Sequence, residues 1–427
     1  MGIYKKNKKV IGLYKNGNPI ATLIKNGHII QLGDGKSQYD IDLDFQELNG
    51  SYGKAFIIND ISITPTGKKY QANLSDLGID KITSFNFINT NLSYINNFPD
   101  CSSVTAFSAP SMPFAYTRLT SLDTAKLNLV NLTKVDSLYS NMQNVVRINP
   151  ARQLNNITSY RAYYGGCTAL RQAEFPLGND ITDISYMFYD CKALTDVGHF
   201  PSYLAVKNAS HLFDGCSSLD MQSLLANANE NGMLQMFQYT NLSNISGMFK
   251  GCNFNETAFD SSALKSWPMN YVEDASYLFA DTNISGAYFG SWDMWRCKNW
   301  SHMFENCTRI TTLSFAGLDL ASAEDFSYMF AGCYNLTSVS FESVSNFTGV
   351  TNFEGMLNET NSLRKIYVDD CSTYNFLVNG LSAAGFDTSI IENTNGDCGG
   401  SSGEFPTDRL TFMVTPGETA NFSINDA

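Results

Sequence analysis

Ten cysteines in a 427-residue chain are the side chains best suited to chemistry, as nucleophiles, metal ligands or disulfide partners. Six of them, Cys167, Cys191, Cys216, Cys252, Cys307 and Cys333, recur in step, and Thr282 and Thr360 stand in the same slot. A position that exchanges a thiol for a hydroxyl asks for a small buried group rather than a bond partner. These six are therefore expected to form a structural ladder of free thiols, although adjacent coils would bring them near enough to bridge. The other four, Cys101, Cys297, Cys371 and Cys398, lack metal-ligand spacing. Asp40, Asp42 and Asp44 alternate along one strand face without the loop geometry of a calcium site, and read as a solvated edge, as does Asp369-Asp370. The four histidines are scattered, and no nucleophile elbow, phosphate loop or metalloprotease signature occurs. The reading is of no catalytic residues, no metal and no cofactor.

The thiol slot belongs to a longer pattern that must position it. With the slot as position zero, minus eight is Asp or Asn seven times running: Asp183, Asn208, Asn244, Asp274, Asn299, Asp325 and Asn352. Minus four is Met or Leu, minus three is Phe in six of these repeats, and minus one is Gly, Asp or Asn in most. Apolar residues at minus seven, four, three and zero fit one face of a short helix, with minus eight as its cap and minus one as its left-handed end. Apolar residues at plus six and plus eight, such as Val339 and Phe341, have the period of a strand. Slots at 90, 117, 142, 167, 191, 216, 252, 282, 307, 333 and 360 have a mean period of 27, with long intervals after 216 and 252. The expected fold is an α/β solenoid, a curved parallel sheet backed by short helices, with small β segments at both ends.

Two sets of side chains are candidates for partner or glycan contact. Tyr186, His211, Tyr277, His302 and Tyr328 share position minus five, which on a helix lies opposite the buried face. Trp292 and Trp295 fall outside the repeat template, whereas Trp300 takes a core position. An ordinary packed ridge is the competing reading of the first set.

The chain divides into 1–36, a basic β-meander; 37–85, an N-terminal cap; 86–370, about eleven repeats; 371–394, a C-terminal cap; and 395–427, a Gly/Ser linker with a terminal β segment. Residues 1–36 hold seven Lys against one acid, while the remainder carries a net −19 of the total −13. Asn16-Gly17 and Asn26-Gly27 signal hairpins whose three small strands need a partner surface. An acidic chain with 16% charged residues argues against nucleic acid, and no apolar run reaches a membrane span.

The repeats, with Met187-Phe188, Cys191 and Leu194 or Met329-Phe330, Cys333 and Leu336, resemble BspA-type leucine-rich repeats of the MFxxCxxLxxL subgroup over about residues 86–370. That resemblance implies a leucine-rich-repeat fold and a non-enzymatic role in adhesion, host-surface binding or a phage particle. No secretory signal is legible at the start, and GLYKNGNPIATLIKNG is similar to N-terminal segments of phage virion proteins. The expectation is a bacteriophage virion structural protein, a fibre, collar or decoration component. It would dock on other virion proteins through Lys5, Lys6, Lys8, Lys9 and Tyr14, contact a host surface protein or glycan, and form homo-oligomers. The alternatives are a bacterial cell-surface BspA-like adhesin and a glycan-binding or glycan-cleaving protein.

Overall fold

The computed structural model describes the backbone of seven short strands between residues 14 and 73 and most of residues 82–398. Within 82–398 the longest stretches outside the description are 199–204, 221–239 and 255–268.

The two Asn-Gly turns fold as their types require. Strands β1 (Tyr14–Lys15) and β2 (Asn18–Pro19) pair across the first, and β3 (Ala21–Lys25) and β4 (His28–Ile30) across the second. Strand β3 then pairs antiparallel with β6 (Ile61–Pro65), and β5 (Phe56–Ile58) joins β6 to β8 (Phe85–Asn86), giving the order β4-β3-β6-β5-β8. The chain's own next segment thus supplies an edge for the second hairpin, while β1 and β2 form a separate two-stranded sheet. Lys5, Lys6, Lys8 and Lys9 lie outside the described residues, and Tyr14 pairs with Pro19.

A parallel ladder starts at β7 (Tyr70–Asn73), inside the stretch expected as a cap, and continues to β9 (Leu92–Asn96). It runs on through β10 (Ser121–Asp123) and β11 (Arg147–Asn149), then through single bridges such as Arg147 to Gln172 and Gln172 to Asp196. At the far end β12 (Gly286–Tyr288), β13 (Thr312–Ser314), β14 (Ser338–Ser340), β15 (Lys365–Val368) and β16 (Ile391–Asn393) stack in chain order. In β10, β11, β13 and β14 the middle residue is buried and its two neighbours face out, as in Thr312, Leu313 and Ser314. Between β15 and β16, in the stretch read as the C-terminal cap, lies helix α1 (Cys371–Ala383). Asp370, read from the sequence as a solvated acid, is the N-cap of α1: its carboxylate accepts from the Thr373 amide at 2.9 Å.

The helices expected behind the sheet are not there. From the Met142 slot onward, each minus-eight to zero segment is a run of tight turns with left-handed residues at both minus five and minus one, as at Tyr186 (φ 58°) and Asp190 (φ 55°). The reason is where the amides go. In the Cys191 coil the N–H groups of Met187, Tyr189 and Cys191 reach back three residues to Ile184, Tyr186 and Phe188. Those of Ile184, Tyr186, Phe188 and Asp190 instead donate to the carbonyls of Asn208, Ser210, Leu212 and Asp214 on the next coil. A helix would spend every amide within its own coil. Alternation gives half of them to the neighbour, so the ridge is a second inter-coil ladder and the solenoid is hydrogen-bonded along both sides.

This also reassigns position minus eight. Asp183, Asn208, Asn244, Asp274, Asn299 and Asp325 accept from the amide two residues on, at 2.8–3.1 Å, which is an Asx turn rather than a helix cap. The buried Ser at minus six closes the loop in three coils, where Ser246, Ser276 and Ser301 donate their hydroxyls to the same oxygen at 2.7–2.8 Å.

Candidate functional site

Three columns of side chains run along the ridge, and each has a separate physical job. The minus-three rings form a buried spine: Phe87, Phe114, Tyr139, Tyr164, Phe188 and Phe213 stack successively at 5.4–6.0 Å with planes within 18°. Phe249, Phe279, Phe304 and Phe330 continue it at 5.7–6.1 Å. Parallel rings at the coil repeat explain why minus three accepts only Phe, Tyr or a terminal Leu.

The slot column is the thiol ladder. Each ladder thiol is free and fully or almost fully buried. Each donates to the minus-three carbonyl of the preceding coil: Cys167 to Tyr139, Cys191 to Tyr164, Cys216 to Phe188, Cys252 to Phe213, Cys307 to Phe279 and Cys333 to Phe304, at 3.0–3.3 Å. Thr282 and Thr360 turn their hydroxyls to the same kind of carbonyl in their own coil, at 2.7 and 2.8 Å. Thr90 and Thr117 do likewise, which places both early slots in register. Burial drives the thiol pKa values upward, to about 12 at Cys167 and Cys307, so these sulfurs are neutral donors without nucleophilic character.

The minus-five column differs most from its sequence reading. Tyr186, His211, Tyr277, His302 and Tyr328 are half-buried, because the left-handed backbone turns them along the ridge. Tyr186 stacks on His211 at 4.6 Å; Tyr277 stacks on His302 at 4.2 Å, and His302 on Tyr328 at 4.9 Å. Each stack begins with a cation, Arg161 over Tyr186 at 4.8 Å and Lys250 over Tyr277 at 5.3 Å. Each ends against a left-handed glycine, Gly247 beside His211 and Gly355 beside Tyr328. Carboxylates hold the ring edges: His211 meets Asp214 at 2.8 Å, His302 meets Glu305 at 3.0 Å, and the Tyr328 hydroxyl donates to Glu354 at 3.0 Å. With both faces of every ring engaged, the column offers a partner only polar edges.

A β-carbon at Gly355 would run into the Tyr328 ring. Gly355→Ala is therefore expected to unseat that ring and lower stability by about 1–3 kcal/mol, left-handed alanine being itself unfavourable. Urea unfolding tests it, and an unchanged midpoint would mean that the stack is not closed at this end.

Trp292, expected at a contact surface, is 4% exposed and packs edge-on to Phe289 at 4.9 Å. It is core because it takes the place of Leu318 in the next coil: its amide closes a turn on the Phe289 carbonyl as that of Leu318 does on Phe315, and Leu318 is fully buried. Trp300 is fully buried, as its core position predicts. Trp295 is on the surface at 39% exposure, beside Arg296 and Tyr271. Elsewhere the outward sheet face carries a shallow recess of about 120 Å³ lined by the polar side chains of Arg147, Asn149, Gln172, Glu174 and Asp196.

Two features escaped sequence reasoning. One is the left-handed backbone at minus five, for which Gly247 and Gly355 in an otherwise aromatic column were the available signal. The other is the Cys371–Cys398 bridge, which links the start of α1 to the segment after β16. Among the described residues no group of three or more His, Cys, Asp or Glu is arranged to hold a metal, and no helix is long and apolar enough to cross a membrane.

Comparison of the sequence with family models agrees with this architecture. The model of the BspA type leucine rich repeat region matches residues 71–195 and 135–265, in six copies. The model of a Mycoplasma protein of unknown function, DUF285, matches residues 243–373. A leucine-rich repeat protein from Bacteroides ovatus is 13% identical, with 76% of this chain and 85% of that one covered and a TM-score of 0.34. A leucine rich cell surface protein from Faecalibacterium prausnitzii is 14% identical, with 87% and 98% covered and a TM-score of 0.32. An internalin from Listeria monocytogenes is 13% identical, with 68% and 86% covered and a TM-score of 0.20. No curated protein matches the sequence significantly. With its parallel ladder starting at residue 70 and the matched repeats starting at residue 71, the chain has a leucine-rich-repeat solenoid fold, and its residues 71–265 match the BspA type of that repeat.

Proposed function

We propose that this chain is a non-enzymatic binding protein displayed outside the cytoplasm, a cell-surface scaffold of the BspA-like kind. The observation that carries the reading is the partition of its cysteines. Eight are buried thiols, held away from oxidants by the core, whereas Cys371 and Cys398 meet at the outer end of the solenoid and are bridged. A structural disulfide at an accessible edge persists in an oxidising compartment and is rare in a reducing one. The polar ridge edges and the mixed-charge sheet face suit protein contacts, and nothing among the described residues assembles a nucleophile with a base.

Protease shaving of intact producing cells is expected to release peptides from residues 82–398 before lysis; release only after lysis would remove the reading. Loss of the bridge in Cys398→Ser is expected to lower stability by about 2–4 kcal/mol, seen equally on adding reductant to the native chain.

A second reading, a bacteriophage virion component, is favoured by the charge split between the Lys-rich first 36 residues and the acidic remainder. It assigns particle docking to Lys5, Lys6, Lys8, Lys9 and Tyr14. Mass spectrometry of purified particles decides it, absence from the particle being the adverse result.

A further inference from the structure

Three cations in the described structure lie over aromatic rings in well-defined fashion, and one of them is left without an acceptor. Arg161, over Tyr186, also donates to the Ser185 hydroxyl at 3.0 Å. Lys250, over Tyr277, has the Asp281 carboxylate at 3.7 Å. Arg296 stands 4.6 Å from the Trp295 ring and 5.3 Å from the Tyr271 ring, and among the described residues it has no hydrogen bond or ion pair. Trp295 and Tyr271 are 39% and 37% exposed, and Arg296 is exposed with them.

The repeat does not demand these residues. Tyr271 and Arg296 both sit at minus eleven, and Trp295 at minus twelve. The next two coils carry Ala321-Ser322 and Thr348-Gly349 at those positions. Three large side chains therefore stand at an outer corner where the following coils step down to small ones. The corner is also rigid. Trp295 and Arg296 are the central pair of a turn closed by the Cys297 amide on the Met294 carbonyl at 2.9 Å, and both Met294 and Cys297 are buried. Tyr271 is fixed between buried Met269 and Val272.

We infer that Tyr271, Trp295 and Arg296 form a docking point for an acidic segment of a partner protein, whose carboxylate enters the free fork of Arg296. A guanidinium stacked on rings keeps its N–H donors in its own plane, where a carboxylate accepts two parallel bonds. Exposed Trp, Tyr and Arg in mutual contact are the composition of an interface hot spot, and pinning them in advance lowers the entropy lost on binding. The guanidinium already covers one face of each ring, which leaves a poor platform for sugar stacking and favours a peptide. The net charge of −13 opposes an acidic partner at long range, so recognition has to be local and is best measured near physiological salt, where exposed charges beyond about 8 Å are screened.

The proposal rests on the reading of the chain as a binding protein, but its test is independent of where the chain is displayed. The full-length protein is applied to an array of synthetic peptides in which each Asp- or Glu-containing sequence is paired with its Asn or Gln counterpart. Affinities of the selected peptides are then measured in solution. Carboxylate peptides are expected to bind at least about tenfold more tightly than their amide partners, which corresponds to one good charged contact. Arg296→Gln and Trp295→Ala are expected to remove that preference with no change in melting temperature, since neither residue is core. Arg296→Lys keeps the charge and is expected to restore little, because an ammonium has no fork. Absence of any carboxylate-selective peptide, or equal binding by Arg296→Gln, overturns the proposal. So does an Arg296-dependent preference for a uronic-acid polysaccharide over every peptide, which would move the site to glycans.

Discussion

Replacing Phe304 by alanine is expected to cost about 3–5 kcal/mol, the range for a large aromatic removed from a packed core. Phe304 is fully buried between the rings of Phe279 and Phe330, at 5.8 and 6.1 Å, so one substitution opens two coil interfaces at once. In a solenoid each coil is held only by its neighbours, and stability is close to a sum of interface contributions. The loss should therefore split the molecule rather than weaken it evenly. Amide exchange should quicken first at Phe304, Asn306 and their acceptors' coil, whose bonds to the Met329 and Ala331 carbonyls cross the broken interface. A cost under about 1 kcal/mol, or uniform exchange along the chain, would show that the ring spine is not what couples the coils.

Alkaline pH should be unusually destructive. Burial first of all pushes the Cys101, Cys167 and Cys307 thiols up to about 12 from an ordinary 9.0, because the thiolate cannot be solvated in the core. Below pH 9 both folded and unfolded chains keep these protons and nothing is lost. Above it the unfolded chain releases them while the folded chain holds them, so stability falls until the folded groups titrate near pH 12. The slope is about 1.4 kcal/mol per pH unit for each thiol, on the order of 4 kcal/mol per unit for these three together. Urea midpoints at pH 8, 9 and 10 measure it. Cys307→Thr tests the cause, since the slot already accepts Thr, whose hydroxyl would bond the Phe304 carbonyl of its own coil as Thr282 bonds that of Phe279, while the titrating group is removed. That variant should lose less between pH 9 and 10 than the parent; a flat pH response in the parent would refute the mechanism.

Much was legible without coordinates. The recurrence of Cys or Thr, of Phe three residues before and of Asp or Asn eight before determined that identical coils stack in register. It also identified the buried thiols and the left-handed residues at minus one. These are properties of side-chain type at fixed separation, and a repeated chain carries them in one dimension.

Tertiary structure alone decided what lies behind the sheet. Residues at minus seven, four, three and zero satisfy helical spacing and tandem-turn spacing alike, so the pattern could not choose between them. The choice was made by the next coil, whose carbonyls at minus eight, six, four and two capture alternate amides and leave too few for a helix. The same capture forces Tyr186, His211, Tyr277, His302 and Tyr328 into left-handed backbone and lays their rings along the ridge. Trp292 and Trp295 show the same limit, one buried and one exposed within a single short segment, since depth depends on which coil a side chain meets. Sequence spacing determines which residues share a face, but hydrogen bonds between coils determine which way that face turns.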